Sequence, residues 1–284
     1  MSTPYPLKSV TAPEDEFNAR LALFDALKSA ARDITLPLFT DGMQVQNKAS
    51  GSDFDPVTNA DVEGERRLRA LITNTLADDS IEGEELPDIT GCNDWLWTLD
   101  PIDGTRAFVA GVPVWSTLVA LSYRGVPVIG MIDHPAMGQC FMGITHADQS
   151  EAWRLDDNGT KTVLSTRGRD ALSNCTLGCT EPLAMLGPGE LAAYNIIRRG
   201  CAFSRLGLDA FGYGLVASGR MDIIIEALLK PCDVRALMPV VHGAGGRITN
   251  WHGGSPVNGG RVVCVGDAGL LPELYTYLGR AMTP

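Results

Sequence analysis

The spacing of apolar residues predicts two helices in the first part of the chain. Thr58 and Asp61 have the spacing of a capping box, which predicts a helix start after a polar loop, and apolar residues at helical intervals follow it. Upstream, a similar periodicity predicts one amphipathic helix that ends at Pro37. The apolar positions of this first helix are Phe17, Leu21, Phe24, Leu27, Ala31 and Ile34.

Continuous apolar runs predict buried strands in the middle of the chain. Arg124 and Gly125 interrupt one long run, and this pair predicts the turn of a β-hairpin. The three runs that predict strands are "DWLWTL" (94–99), "STLVALSYRGVPVIGMID" (116–133) and "QCFMGI" (139–144).

The second half alternates short strand patterns with helical patterns, which is typical of an α/β arrangement. The polar stretch 146–160 is the best place for a boundary, so we predict two closely packed lobes. These are an α+β lobe over 1–150 and an α/β lobe over 151–284. The predicted strands are "CTLGCT" (175–180), "AFSRL" (202–206), "MDIIIEA" (221–227) and "RVVCVG" (261–266), and the predicted helices lie near 189–199, 209–218, 233–243 and 269–281.

Composition and charge exclude several classes of partner. The chain has 284 residues, with 45% hydrophobic and 20% charged, which is ordinary for a globular protein with a sizeable core. The formal net charge of −11 argues against nucleic acid or an anionic membrane as the main partner. We expect neither a membrane span nor a signal peptide. Seven scattered cysteines without a CxxC pair favour reduced thiols in the cytoplasm over disulfides or a zinc site.

Candidate chemistry concentrates where the first predicted strand ends, in "WTLDPIDGTRAF" (97–108). Asp100 and Asp103 would repel each other and lose hydration there unless a cation or a donor compensates. Pro101 fixes the backbone so that a carbonyl such as that of Ile102 can point at a metal. The alternative is that the two aspartates only form a turn.

Three further carboxylates could converge on the same cleft and complete an oxygen site of the kind that Mg²⁺ prefers. They are Glu84, Asp61 and Asp233. Each also has a simpler interpretation: Asp61 and Asp233 as helix caps, and Glu84 as a solvated loop carboxylate. The histidines are too sparse for a metal set and are expected to be surface or structural residues: His134, His146, His242 and His252.

Four motifs in the same order resemble the inositol monophosphatase superfamily of Mg²⁺-dependent phosphomonoesterases, over about residues 15–280. The resemblance implies a layered α-β-α-β-α sandwich of the sugar-phosphatase type and up to three Mg²⁺ ions per site. It also implies a small phosphorylated metabolite as substrate, a homodimer and sensitivity to lithium. The motifs are "DPVTNAD" (55–61), "GEE" (83–85), "WTLDPIDGTRAF" (97–108) and "KPCDVRALMPVVHGAGG" (230–246).

The resemblance also implies roles for individual residues. Glu84 and Thr105 match the pair that activates the attacking water, and Asp61 matches a carboxylate that orients the network around the metals. The amides of Gly104 and Thr105 match the phosphate cradle, and Lys48 matches a lysine of the metal loop. The implied metal ligands are Glu84, Asp100, the Ile102 carbonyl, Asp103 and Asp233.

Within the superfamily, long stretches between 99 and 251 look most like the monofunctional histidinol-phosphate phosphatases. The runner-up is an inositol- or sugar-phosphate phosphatase with the same metal centre. A binding module that has lost activity is a third possibility, but it would not need Glu84 and Thr105 beside all the metal carboxylates. The chain departs from the branch at Leu208 (in place of Gly), Cys232 (in place of Tyr), His242 (in place of Glu) and Asn250 (in place of Asp).

The residues before Asp233 include candidates for selecting the substrate. Glu226 lies seven positions earlier, where the family uses an acid to hold the part of the substrate away from the phosphate. A carboxylate there suits a hydroxyl, and a cationic amine such as that of histidinol phosphate even better. Asp209 could add a second negative contact, and Arg205 could pair with either acid. The simpler interpretations are a surface charge for Glu226 and a structural salt bridge for Arg205.

Overall fold

The computed structural model describes residues 10–41, 43–47 and 56–280. Its strands are β1 Val45–Asn47, β2 Pro56–Thr58, β3 Ser80–Gly83, β4 Trp95–Asp103, β5 Ser116–Tyr123, β6 Val126–His134, β7 Gln139–His146, β8 Gln149–Asp156, β9 Lys161–Val163, β10 Thr176–Cys179, β11 Phe203–Leu206, β12 Ile223–Leu229, β13 Arg247–Asn250 and β14 Gly260–Val265. Its α-helices are α1 Glu14–Leu21, α2 Phe24–Thr40, α3 Asn59–Thr75, α4 Thr105–Val109, α5 Pro182–Met185, α6 Pro188–Gly200, α7 Ala210–Ala217, α8 Pro231–Arg235, α9 Leu237–Gly243 and α10 Leu271–Arg280.

The first large sheet has seven strands in the order β3-β4-β5-β6-β7-β8-β9. β3 and β4 are parallel, and every other pair is antiparallel. Both faces of its centre are buried, since Val119 packs towards α2 and α3 while its neighbour Leu118 packs towards α7 and α9. Burial on both faces explains why these strands show continuous apolar runs and not alternation.

The second sheet has five strands in the order β11-β10-β12-β14-β13. β10 is parallel to β11 and β12, whereas β14 is antiparallel to β12 and β13. One face packs on α6 and α10, and the other packs on α7 and α9. The two helices α7 and α9 therefore lie between the sheets, which confirms the predicted α-β-α-β-α layers.

Close packing between the layers requires glycine at Gly143 on β7. A Cβ atom built there would lie 2.3 Å from the carbonyl oxygen of Pro239 on α9. Only a residue without a side chain lets the helix approach the sheet this closely. Because α9 follows α8 directly, this packing also fixes the position of Asp233.

The prediction of one first helix ending at Pro37 was wrong. The chain forms α1 and α2, with a break at Ala22 and Leu23 where the Leu23 amide donates to the Arg20 carbonyl, 3.1 Å away. Pro37 lies inside α2. Proline removes one amide donor, and the helix still closes its last turn because the Asp41 amide donates to the Pro37 carbonyl at 2.9 Å. The predicted helix over 233–243 is likewise two helices, α8 and α9, joined at Ala236.

The polar stretch 146–160 belongs to the first sheet. β8 and β9 form its outer edge, so this sheet continues to Val163. Edge strands are exposed and polar, which is why this segment resembles a loop in the sequence. The division into lobes at residue 150 stays a prediction.

The predicted hairpin turn and capping box are confirmed. Arg124 and Gly125 have φ values of 50° and 74°, as a tight hairpin turn requires. The Thr58 hydroxyl accepts the Ala60 amide at 3.1 Å, and the Asp61 carboxylate accepts the Thr58 amide at 2.8 Å, so the capping box is formed. All seven cysteines are free thiols. Within the described ranges, no helix is long and apolar enough to cross a membrane.

Candidate active site

The end of β4 forms a bulge that exposes polar atoms. Asp100 pairs with Leu118 and Asp103 with Ser116, so the register shifts between the two aspartates. Within the bulge the Asp100 carboxylate accepts the Ile102 amide at 3.0 Å. Gly104 follows with φ 78°, and a Cβ atom there would lie 3.1 Å from Cγ of Asp209. The site therefore needs glycine at this turn both for its backbone conformation and for space.

Glu84 follows directly after β3, where α3 holds the loop in place. The buried Glu65 carboxylate accepts the amides of Glu85 at 2.8 Å and Leu86 at 3.2 Å. Arg69 pairs with Glu65 at 2.6 Å. A Cβ atom at Gly83 would lie 2.1 Å from the Glu65 carboxylate, so this network requires the glycine before Glu84. Neither Glu65 nor Arg69 is part of a recognisable motif, so neither could be predicted from the sequence.

Asp233 lies in the first turn of α8 and caps the helix from its third position, with Lys230 as the N-cap residue. The helix begins at Pro231, and the Asp233 carboxylate accepts the Lys230 amide at 2.7 Å. Arg235 connects this helix to the first sheet, since its guanidinium donates to Glu82 on β3 and, at 3.0 Å, to the Thr98 hydroxyl on β4. The interpretation of Asp233 as a capping carboxylate is therefore correct, but its position also brings it towards Asp100.

Four possible ligand atoms converge between β3, β4 and α8. One atom each from Glu84, Asp100, Cys232 and Asp233 lies within 4.8 Å of the others. Burial, followed by repulsion from Glu84 and Asp103, raises the pKa of Asp100. Burial raises the pKa of Asp233 to about 6. Three buried carboxylates repel one another, and a bound divalent cation would compensate their negative charge.

Two residues of this cluster were not predicted. Cys232 contributes a buried thiol, which is a softer ligand than the oxygens around it. The ammonium of Lys230 donates to Glu84 at 2.8 Å, so one carboxylate oxygen of Glu84 is already engaged. The histidines do not belong to this cluster of described residues, in line with their predicted structural roles.

Asp61 and Thr105 form a hydrogen-bonded pair beside the bulge. The Thr105 hydroxyl lies 3.1 Å from the Ile102 carbonyl oxygen and 3.4 Å from the second oxygen of Asp61. Asp61 therefore caps α3 with one oxygen and faces Thr105 with the other. The carbonyl of Ile102 points towards Thr105 at the end of the strand.

A second acidic group lines an adjoining cleft of about 70 Å³. Asp103 contributes to its wall, held by the Ser116 hydroxyl at 3.2 Å and the Ala210 amide at 3.1 Å. Asp209 has φ 47° and sits opposite Gly104. Glu226, on β12, lies on the same wall. Asp233 also lines the cleft, and four acids around it disfavour an anionic group there and favour a cationic one.

The carboxylate of Glu226 is firmly held. It accepts the Thr180 amide at 2.8 Å, the Thr180 hydroxyl at 2.6 Å and the Tyr213 hydroxyl at 2.9 Å. Only 3% of the residue is exposed, so the interpretation as a surface charge was wrong. Arg205 is exposed on β11 and forms no ion pair with a residue that the structure describes. It pairs with neither Asp209 nor Glu226.

The comparisons with known proteins agree with this geometry. A sequence model of the inositol monophosphatase family matches residues 19–281. The chain belongs to this family. It is thus a metal-dependent phosphomonoesterase with the fold described above.

Named relatives of this inositol monophosphatase family member divide between two activities. The chain is 35% identical over 249 residues to the bifunctional phosphatase IMPL2 of Arabidopsis thaliana, covering 84% of this chain and 66% of that longer protein. It is 31% identical to a histidinol-phosphatase of Chlorobaculum parvum, covering 89% of this chain and 94% of the relative. Among solved structures, an inositol monophosphatase from Zymomonas mobilis superposes with a TM-score of 0.78 at 34% identity, covering 94% of this chain and 100% of that one.

Without bound metal, the acidic cleft should make this protein less stable as the pH rises. Burial and repulsion from Glu226 raise the pKa of Asp209 from 3.8 to about 6. The native state therefore retains a proton that the unfolded chain releases, and stability falls as the pH rises from about 4 to about 6. For Asp209 alone the loss is up to about 3 kcal/mol. We expect the Asp209→Asn variant to show a smaller fall in urea-unfolding free energy over this range, measured in EDTA. An equal fall in both proteins would contradict the assignment.

Proposed function

We propose that this enzyme hydrolyses histidinol phosphate to histidinol and inorganic phosphate. The observation that carries the proposal is the pair of acids, Asp209 and Glu226, on the wall of the cleft beside Asp103. A leaving group with an ammonium would find charge-assisted hydrogen bonds there. The similarity to a protein named histidinol-phosphatase supports the same substrate. A role in histidine biosynthesis, a homodimer and inhibition by lithium are part of this proposal.

The chemistry of the donors fits Mg²⁺. The oxygens that would hold the ions are those of Glu84, Asp100, the Ile102 carbonyl, Asp103 and Asp233, which are hard ligands on separate elements of a rigid frame. Bound cations would neutralise the phosphate dianion, lower the pKa of water and stabilise the leaving alkoxide. Up to three ions are expected from the resemblance of the motifs.

The chain's own residues would then position the nucleophile. Because the Thr105 hydroxyl shares its one proton between the Ile102 carbonyl at 3.1 Å and the Asp61 carboxylate at 3.4 Å, its lone pairs are free to accept a hydrogen bond from water. Glu84 would take up the proton, and Asp61 would hold Thr105 in this orientation. The amides of Gly104 and Thr105 would bind phosphate oxygens. Water attacks phosphorus in line with the leaving oxygen, so no covalent intermediate with the enzyme is needed.

A panel of substrates tests the proposed specificity. Phosphate release is measured from histidinol phosphate, inositol 1-phosphate and fructose 1,6-bisphosphate, each with Mg²⁺ and with EDTA. We expect Mg²⁺-dependent turnover with the highest kcat/KM on histidinol phosphate. The alternative function, an inositol-1-phosphate or broad sugar-phosphate phosphatase with the same metal centre, is favoured by the 34% identity to the Zymomonas enzyme. A higher kcat/KM on inositol 1-phosphate would establish that alternative.

The Glu226→Gln variant tests the proposed contact between Glu226 and the ammonium of the substrate. The amide keeps the shape of the side chain but removes its charge, and a charge-assisted hydrogen bond contributes about 1.5–3 kcal/mol. We expect kcat/KM on histidinol phosphate to fall about tenfold to hundredfold. Glycerol 2-phosphate has no amine, so its hydrolysis should change far less, and the dependence on Mg²⁺ should stay the same.

Glu181→Gln is the matched control, because Glu181 is exposed beside the cleft and pairs only with the exposed Arg106 among described residues, at 3.2 Å. It should leave both substrates unaffected. An equal loss on both substrates in Glu226→Gln would assign Glu226 to the general architecture of the site. No loss on either would remove it from substrate binding. Both outcomes would return the proposal to the broader phosphomonoesterase.

A further inference from the structure

A second cavity, of about 170 Å³, lies away from the acidic cleft. It is enclosed by the β5–β6 turn, α9, β13 and the loop 255–257, and it shares no lining residue with the cleft. Its walls are mostly apolar, with Pro127, Met238, Ile248 and Val257 among them. None of the described residues that line it is acidic, in contrast to the active site and to the net charge of −11.

His242, on α9, places a hydrogen-bond donor in this cavity. Its Nε2 accepts the Ile248 amide at 3.4 Å, so the hydrogen of the neutral ring is on Nδ1. Burial and the nearby Arg247 lower the pKa of His242 to about 3, which keeps the ring neutral. Within the described part of the chain Nδ1 has no hydrogen-bond partner, although the residue is only 7% exposed. The Nδ1 donor is therefore available to a ligand or water in the cavity.

Arg247, on β13, supplies a positive charge beside this donor. One of its N–H groups donates to the Gly246 carbonyl at 2.8 Å, and it forms no ion pair with any described residue. The other arginine of the cavity, Arg124, is at the turn and is already paired with Asp94 at 2.8 Å. The half-buried guanidinium of Arg247 thus has N–H groups available for an anion.

We propose that this cavity binds a small organic carboxylate, with its carboxylate on His242 Nδ1 and the Arg247 guanidinium and its apolar body against Met238 and Val257. A carboxylate can accept hydrogen bonds from both donors at once. The apolar walls select a ligand with a compact hydrophobic part over inorganic phosphate. The proposal is independent of which phosphate ester the enzyme hydrolyses, because no residue of the active site takes part in it.

Benzoate is the probe, and benzamide is the neutral probe of the same shape. Binding to the full-length protein is measured by saturation-transfer NMR and isothermal titration calorimetry. We expect benzoate to bind in the millimolar range or tighter and benzamide to bind at least about tenfold more weakly. No benzoate binding to the wild-type protein, or equal affinity for the two probes, would overturn the proposal.

Two variants locate the site. His242→Glu places an acid beside Arg247, and Arg247→Gln removes the charge. Each should weaken benzoate binding at least about tenfold, while Arg199→Gln, at an exposed position on α6, should leave it unchanged. Melting temperature and phosphatase activity report on folding. Should the buried His242 variant fail to fold, Arg247→Gln decides: unchanged benzoate affinity in that folded variant would contradict the proposal.

Discussion

Asp100→Asn and Asp103→Asn are each expected to lower kcat/KM by several orders of magnitude while the protein keeps its fold. Each change removes a negative charge that the proposed metal site needs and alters the geometry of the β4 bulge. Asp100 lies within the convergent cluster of ligand atoms, and Asp103 lines the adjoining cleft. Loss of metal charge affects water activation and stabilisation of the leaving group together, so the effect should exceed that of any single substrate contact.

Stability distinguishes a functional role from a structural one for these two aspartates. Burial and the surrounding carboxylates raise the pKa of Asp100, and burial, Asp209 and Asp233 raise that of Asp103. Neutral side chains should therefore leave the melting temperature in EDTA unchanged or higher. The control is Asp25→Asn, at an exposed position on α2, which should change neither activity nor stability. A variant that loses stability in EDTA yet keeps its activity with Mg²⁺ would make the aspartates structural.

Much of the fold follows from local patterns in the sequence. Strands buried on both faces produce continuous apolar runs, so β4, β5 and β6 could be predicted with their hairpin turn. The polar strand β8, next to the edge strand β9, has no such signal, because only Ala152 of its residues is buried. The break between α1 and α2 contains neither glycine nor proline, so it follows from tertiary packing and not from a local breaker.

In the candidate site, too, the features within one short motif could be predicted, whereas the contacts between distant positions could not. Asp100, Ile102, Asp103 and Gly104 belong to one short motif, so a group of metal-binding oxygens at the end of this strand could be inferred from it, whereas the bulge itself could not. The contact from Lys230 to Glu84 joins positions 146 residues apart. The hydrogen bond from the Glu85 amide to Glu65 spans 20 residues. No periodicity or spacing signals such pairs, and they were found only in the folded protein.

Removing divalent metal is expected to abolish activity completely and reversibly. Dialysis against EDTA should leave no measurable phosphate release, and added Mg²⁺ should restore it. This follows from the proposed oxygen ligands on β4, α8 and the loop after β3, since the Lys230 ammonium beside them is already paired with Glu84 and cannot supply the charge of a divalent cation. Full turnover by the metal-free enzyme would overturn the mechanism.

Metal binding should also be visible in stability without any substrate. A ligand that binds only the native state adds about 2.7 kcal/mol at a hundred times its Kd, so the melting temperature should rise with Mg²⁺ concentration. Protons compete with the metal for the same carboxylates. Because burial raises the pKa of Asp233 to about 6, the rise should be larger at pH 7.5 than at pH 5. In Asp233→Asn most of the Mg²⁺-dependent rise in melting temperature should disappear, whereas in Asp25→Asn the whole rise should remain. If Asp233→Asn kept the full Mg²⁺-dependent rise, the metal would bind elsewhere, and the cluster of Glu84, Asp100 and Asp233 would not be the metal site.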